Sequence, residues 1–272
     1  MIILMNSSKT LNFEQPAHIS KHTVPEFLAD CEFLVSELRK LSVSGFAGLM
    51  GVSENLATLN VRRYKNWRTS PSKADAKQAL LAFKGDIYAA MDVDRYKIKT
   101  FDFAQKHLRI LSGLYGILRP LDLIQPYRLE MATKLVTDRG KDLYRFWGTR
   151  INASLNKMLK REQSGLLVNL ASAEYFKAAQ PKLLKAEVIT PVFKEYKDPS
   201  YRVVAIYAKK ARGLMCDYIV QNRITRVEDL QSFNSDGYRF SPVLSSQKDW
   251  VFTRGDIRTQ PGEAGTKLTT EK

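Results

Sequence analysis

Three short segments bring cations, carboxylates and a tyrosine close enough together to do chemistry. Ala82-Phe-Lys-Gly-Asp-Ile-Tyr88 sets Lys84 and Asp86 on either side of a glycine. Gln125-Pro-Tyr-Arg-Leu-Glu130 offers Tyr127, Arg128 and Glu130, and Tyr207-Ala-Lys-Lys-Ala-Arg-Gly213 offers Lys209, Lys210 and Arg212. Lysine and arginine hold phosphate or carboxylate through charge-assisted hydrogen bonds, arginine with a rigid fork. Beside them, Asp86, Glu130 and Glu174 are the candidate acid/base groups. Solvated ion pairs would use the same residue types. Convergence on one deep pocket favours an enzyme acting on a small anionic or nucleotide-like substrate, and scatter over a broad groove disfavours it.

A second kind of phosphate site is suggested by Leu111-Ser-Gly-Leu-Tyr-Gly-Ile-Leu-Arg-Pro120. Gly113 and Gly116 can turn backbone amides outward, Ser112 adds a hydroxyl and Arg119 a charge, the means by which a helix-hairpin-helix grips a DNA backbone without reading bases. The usual hairpin core has glycines two apart and here they are three apart, so a plain helix-ending turn remains the alternative. Earlier, in Phe46 to Ala57, the positions of Ala47, Gly51 and Ala57 fit a helix-turn-helix, although its cations begin only at Arg62.

Other chemistries leave no trace. There is no P-loop, no GxGxxG, no GxSxG and no CxxC, so no cofactor is expected. His18 and His22 are four apart, but no cysteine or acid cluster completes a metal site, and none is expected. Cys31 and Cys216 read as reduced, packing thiols. No run of 18 apolar residues crosses a membrane, and Met1-Ile-Ile-Leu-Met5, lacking a basic flank, reads as a first strand rather than a leader.

The elements that carry these residues follow from periodicity. Thr23-Val-Pro-Glu26 has the form of a capping box ahead of a helix to Leu41. Helices are expected from Ser53 to Arg63, Ser72 toward Met91, Thr100 to Leu111, Lys141 to Lys160, Ser172 onward, and Ala208 to Asn222. Strands are expected at 166–170, 186–193, 201–207, 237–240 and 250–253. With 44% hydrophobic and 26% charged residues, and no linker or repeat, this is one α+β (mixed α/β) domain over 1–259, with a polar, disordered tail at 260–272. The 272 residues carry 43 Lys+Arg against 28 Asp+Glu, a net charge of +15, spread along the chain rather than held in a tail. It is densest in Val61 to Arg68 and from Lys134 to Arg161, which includes Arg145. Polyanions are the natural partners of such a surface, because each neutralised phosphate releases counterions.

The segments above, with Lys9-Thr-Leu11, Gly140 to Gly148, Asn169-Leu-Ala-Ser172, Glu174-Tyr-Phe-Lys177 and Phe233 to Tyr238, resemble the bacterial YaaA family of peroxide-stress proteins over nearly the whole length. Two segments depart from it: Asn6-Ser7-Ser8 stands where the family has Ser-Pro-Ala, and Ala173 where it has an acidic residue. The resemblance implies a cytoplasmic protein that helps cells survive hydrogen peroxide by limiting free iron and protecting or repairing DNA. It also implies helices around a mixed sheet, a positively charged cleft, a helix-hairpin-helix element and binding of duplex or distorted DNA. Ser112 to Arg119 is the candidate for that element, and a small anionic ligand is the further candidate partner.

Overall fold

In the computed structural model, which describes residues 1–72, 74–163 and 165–255, the centre of the molecule is β1 (Ile2–Asn6). Ile2 to Met5 are buried on both faces, which suits a short apolar run covered on both sides as in a parallel sheet. β1 lies between β5 (Leu108–Ser112) and β8 (Leu166–Asn169), parallel to both, with Ile3 opposite Leu108 and Val168. β8 runs parallel to β9 (Glu187–Lys197), and β9 parallel to β12 (Asp249–Arg254), which β11 (Arg239–Phe240) closes antiparallel. At the other edge β6 (Gly116–Leu118) folds back on β5, and β10 (Ser200–Arg202) folds back on β9. The order is therefore β11-β12-β9-β8-β1-β5-β6. Short ladders join β2 (Thr10–Leu11) to β4 (Phe83–Lys84) and β3 (Lys77–Gln78) to β7 (Leu123–Ile124).

The helices are α1 (Leu28–Arg39), α2 (Val43–Met50), α3 (Glu54–Asn66), the short α4 (Ala79–Ala82) and α5 (Asp86–Ala89), α6 (Ile98–His107), α7 (Leu143–Trp147), α8 (Arg150–Glu162), α9 (Ala173–Ala178) and α10 (Ala205–Gln221). The expected mixed fold of helices and a mixed sheet is present. The 260–272 tail lies outside the described residues.

Several local expectations change. Thr23 makes no capping box: its hydroxyl donates to Asp122 Oδ1 at 2.6 Å, and Glu26 accepts from Ser154 instead. The helix expected to reach Leu111 stops at His107, because Leu108-Arg-Ile-Leu-Ser112 finds a parallel partner in β1; a short apolar run fits either period and tertiary pairing decides. The helix expected from Ser72 to Met91 is split into α4 and α5 by β4. Gly148, at φ +50 and ψ −125, breaks the Lys141–Lys160 helix into α7 and α8. The strand expected over 201–207 ends at Arg202, and α10 begins at Ala205.

The largest correction concerns Ser112, Gly113 and Gly116. They form the turn of the β5–β6 hairpin, joining two strands rather than two helices, and they are buried. A Cβ on Gly113 would stand 2.3 Å from the Leu129 carbonyl oxygen, and one on Gly116 2.7 Å from the Trp147 ring. The glycines permit close packing, so this turn presents no outward amides to a phosphate. Arg119, beyond β6, folds onto Asp122 with Nη2 to Oδ1 at 2.8 Å.

A two-helix hairpin does occur elsewhere, at α2 and α3. Ser42 caps α2, accepting from the Gly45 amide at 3.1 Å. Gly51 ends it in the left-handed region (φ +60) with open space where a Cβ would be, as a helix-terminating glycine should. Val52 and Ser53 complete the link to α3. At the far end, Arg39 of α1 donates to the carbonyls of Tyr64 (2.9 Å) and Trp67 (2.6 Å), fixing the exit from α3.

Candidate functional site

The carboxyl ends of β1 and β8 are where the chain's connections diverge: β1 leads toward β5 on one side, β8 toward β9 on the other. Crevices at such switch points are the standard ligand sites of α/β sheets. Here the crevice is a cavity of about 430 Å³. Its floor is Asn6-Ser-Ser-Lys9, which continues β1. Asn6 Oδ1 accepts the Ser172 amide at 2.9 Å, tying this loop to the one after β8, and the Asn6 carbonyl accepts the Tyr88 hydroxyl at 2.9 Å. The Ser7 amide reaches Leu111 O at 2.7 Å.

Two glycines bring the walls in. Gly85, at φ +114, carries the chain past Ser8 so closely that a Cβ would meet its Oγ at 2.7 Å, and Asp86 follows at the cavity edge. Gly213 lets α10 lie on α5, since a Cβ there would be 2.0 Å from Ile87 O. That contact delivers Lys209 and Arg212 to the same cavity as Asp86, opposite Ser172, Glu174 and Tyr175. A narrow cleft continues from Ser7, Ser8, Lys9 and Tyr175 to Tyr127, Arg128 and Glu130.

The charges are unevenly matched. In the cleft, Glu130 Oε1 takes both Lys9 Nζ (3.2 Å) and Arg128 Nη2 (3.1 Å), while Oε2 is buried without a protein partner among the described residues. Glu174 Oε1 accepts the Ala132 amide at 3.1 Å. Arg212 has no ion-pair partner among the described residues, and burial lowers its pKa, the mark of a guanidinium that lacks a counter-ion. Burial also pushes the Tyr175 hydroxyl up to about 12, against a weak contact from Ser7, and drives Tyr88 and Tyr127 well above their ordinary value. All three stay protonated at neutral pH and can donate hydrogen bonds. An anion entering this cavity would meet Lys9, Lys209 and Arg212, with Asp86 and Glu174 within the same walls.

Of the residues singled out by type, Asp86, Glu174, Lys209 and Arg212 share the cavity, and Arg128 and Glu130 line its extension. Lys84 turns into a neighbouring cavity with Asp92 and Asp94, and Lys210 pairs with Asp236 at 3.1 Å. Ser112 is buried against the Tyr127 hydroxyl at 2.7 Å. Arg145 is exposed on α7. Residue type alone does not point to Asn6, Ser7, Ser8, Tyr88 or Tyr175 as members of this site. The available signal was position, a polar run directly after an apolar strand. His18 and His22 do not meet: one ring bonds Tyr96 O, the other Ser20 O. Among the described residues no three His, Cys, Asp or Glu side chains gather as a metal site would require, and no helix is long and apolar enough to cross a membrane.

A second polar surface is the α2–α3 hairpin. The first-turn amides of α3 have no acceptor within the helix, and the Ser53 side chain does not cap them. Gly51, Ser53, Glu54 and Asn55 are exposed, as are Arg62, Lys65 and Arg68 further along.

The family model described as "Peroxide stress protein YaaA" matches residues 1–244, a span that includes every strand and helix lining the cavity. The chain belongs to this family. Its similarity extends to UPF0246 proteins of Burkholderia thailandensis and Burkholderia mallei, each 50% identical over 256 residues, and to one of Paraburkholderia phytofirmans at 49%. Each alignment covers 93% of this chain and 98% of the relative. The match to a peroxide-stress family fits the resemblance carried by the Leu111 to Met131 run and the other segments.

Proposed function

We propose that the chain acts in the peroxide stress response as a DNA-binding protein that protects DNA and limits damage from free iron. It grips phosphate backbones along a basic cleft with little base readout. The observation that carries this reading is the α2–α3 hairpin: a Gly-Val-Ser turn with Gly51 and Ser53 exposed, first-turn amides that Ser53 does not cap, and Arg62, Lys65 and Arg68 following on the surface. Amides and a helix dipole hold a phosphate, and the cations hold its neighbours. The net charge of +15 adds long-range attraction. Binding should weaken steeply with salt and vary little with sequence. Mobility shifts on duplex, bubble and single-stranded DNA at two salt concentrations test it, and absence of binding to all three at low salt would sink it.

A second reading, an enzyme acting on a small anionic or nucleotide-like substrate, is favoured by the convergence of Asp86, Glu174, Lys209 and Arg212 on one cavity at the strand ends. Arg212, Lys209 and Lys9 would hold the anion, and Asp86, Glu130 or Glu174 would move the proton. An Asp86→Asn or Glu130→Gln variant that binds DNA normally yet no longer protects cells from peroxide supports it. Full protection by both variants removes it.

A further inference from the structure

A different cavity, of about 370 Å³, lies between the β5–β6 edge of the sheet and α8. Its floor is Arg109, which stands opposite Leu4 in the β1–β5 ladder and is 8% exposed. A guanidinium this buried is costly unless its donors and charge are met. Nη1 donates to Gln105 O at 2.9 Å and Leu108 O at 2.7 Å, and Nε rests on the Met158 sulfur. Nη2 has no protein partner among the described residues. Burial is the main cause that brings the Arg109 pKa down to about 10, with the neighbouring Arg119 charge adding to it.

The acids of this cavity are already engaged. Asp122 accepts from the Arg119 side chain and amide and from Thr23, so it balances Arg119. Glu26 accepts from Ser154 Oγ at 2.8 Å. Lys157 and Arg161, one helical turn apart on α8, border the same space, are exposed, and have no ion-pair partner among the described residues. Within the cavity Arg109, Lys157 and Arg161 face only Glu26 as a carboxylate not already balanced, with Glu162 acting on Arg109 from outside the lining, a positive surplus that an anion would reduce.

We propose that this cavity is an anion site for a small phosphate-bearing ligand, with Arg109 at its floor and Lys157 and Arg161 at its rim. It is separate from the strand-end cavity and independent of both functional readings above. The buried floor suits a terminal phosphate, which can enter end-on and offer three oxygens, better than the phosphodiester of a duplex, which is flanked by sugars on both sides.

Inorganic phosphate titrated into the full chain, followed by calorimetry and by the melting temperature at matched ionic strength in chloride, is the test. Saturable binding with a raised melting temperature is expected. A Lys157→Gln/Arg161→Gln double variant, altered only at exposed positions, should bind phosphate about tenfold more weakly. Arg109→Met, checked for folding by its own melting curve, should abolish binding, and Lys248→Gln, an exposed position outside both cavities, should leave it unchanged. No melting shift beyond that in chloride overturns the site, as does a phosphate affinity that the double variant leaves unchanged. Duplex DNA that displaces phosphate and itself depends on Lys157 and Arg161 also overturns it, because the cavity would then belong to a DNA surface.

Discussion

Gly51 and Gly113 sit in turns that look alike in sequence, each a glycine offered as the turn of a two-helix DNA-binding motif, and the fold treats them oppositely. Gly51 joins two helices at the surface, with nothing within 4 Å of the position a Cβ would take. Gly113 joins two strands in the interior, against the backbone of Leu129 and Glu130. The difference lies in the residues C-terminal to each glycine. After Gly51, the period of Leu56, Ala57, Asn60, Val61 and Tyr64 turns one face of α3 inward, and the exposed positions can carry Arg62 and Lys65. After Gly113, the apolar run Leu114 to Leu118 has no polar face, so it goes into the core and the turn goes with it. The buried turn still serves the strand-end site: Trp147 Nε1 donates to Gly113 O at 3.0 Å and Ser112 bonds Tyr127, fixing the segment that holds Arg128 and Glu130.

The contrast is open to breaking by mutation. Gly113→Ala should cost the most, about 4 kcal/mol or more, because the new methyl meets backbone that cannot swing aside; the melting temperature or loss of soluble protein reports it. Gly116→Ala, strained at φ +68 and pressed on Trp147, should cost about 2–4 kcal/mol on the same measure. At the other turn the effects should move to binding. Arg62→Ala/Lys65→Ala/Arg68→Ala should weaken duplex affinity by about 2 kcal/mol at low salt while the melting temperature stays put, since these side chains are exposed and each phosphate contact is worth a modest amount. Gly51→Ala should cost only about 1 kcal/mol of stability, the left-handed backbone penalty without a clash. Glu54→Gln should slightly strengthen DNA binding, by less than about 1 kcal/mol, by removing the acid from the first turn of α3. A Gly51→Ala cost as large as that of Gly113→Ala would erase the distinction.

Much of the fold was legible where pattern alone decides. β1 and β8 are short apolar runs, and α1 and most of α3 keep a clear helical period. Leu108 to Ser112 was not legible, because five residues that satisfy both periods are assigned by their partner, and β1 lies more than a hundred residues away. The strand-end site was half legible. Charged members such as Asp86, Lys209 and Arg212 announce themselves by type. Asn6, Ser7 and Ser8 are neutral, and their importance comes from standing at the end of β1. The Gly113 turn misled because glycine spacing says nothing of burial. The Gly51 turn was readable by its link to Ala57, yet it competed with a richer-looking glycine segment.

We propose above that α3 and its leading turn grip a DNA backbone. Fluorescence anisotropy of a labelled duplex across a salt series, for the unaltered chain and for the Arg62→Ala/Lys65→Ala/Arg68→Ala variant, measures it directly. The unaltered chain should lose affinity steeply with salt, and the variant should bind more weakly with a salt slope shallower by roughly 2–3 in log–log terms. Identical affinity and slope for the two proteins, or no binding by either at low salt, would contradict it.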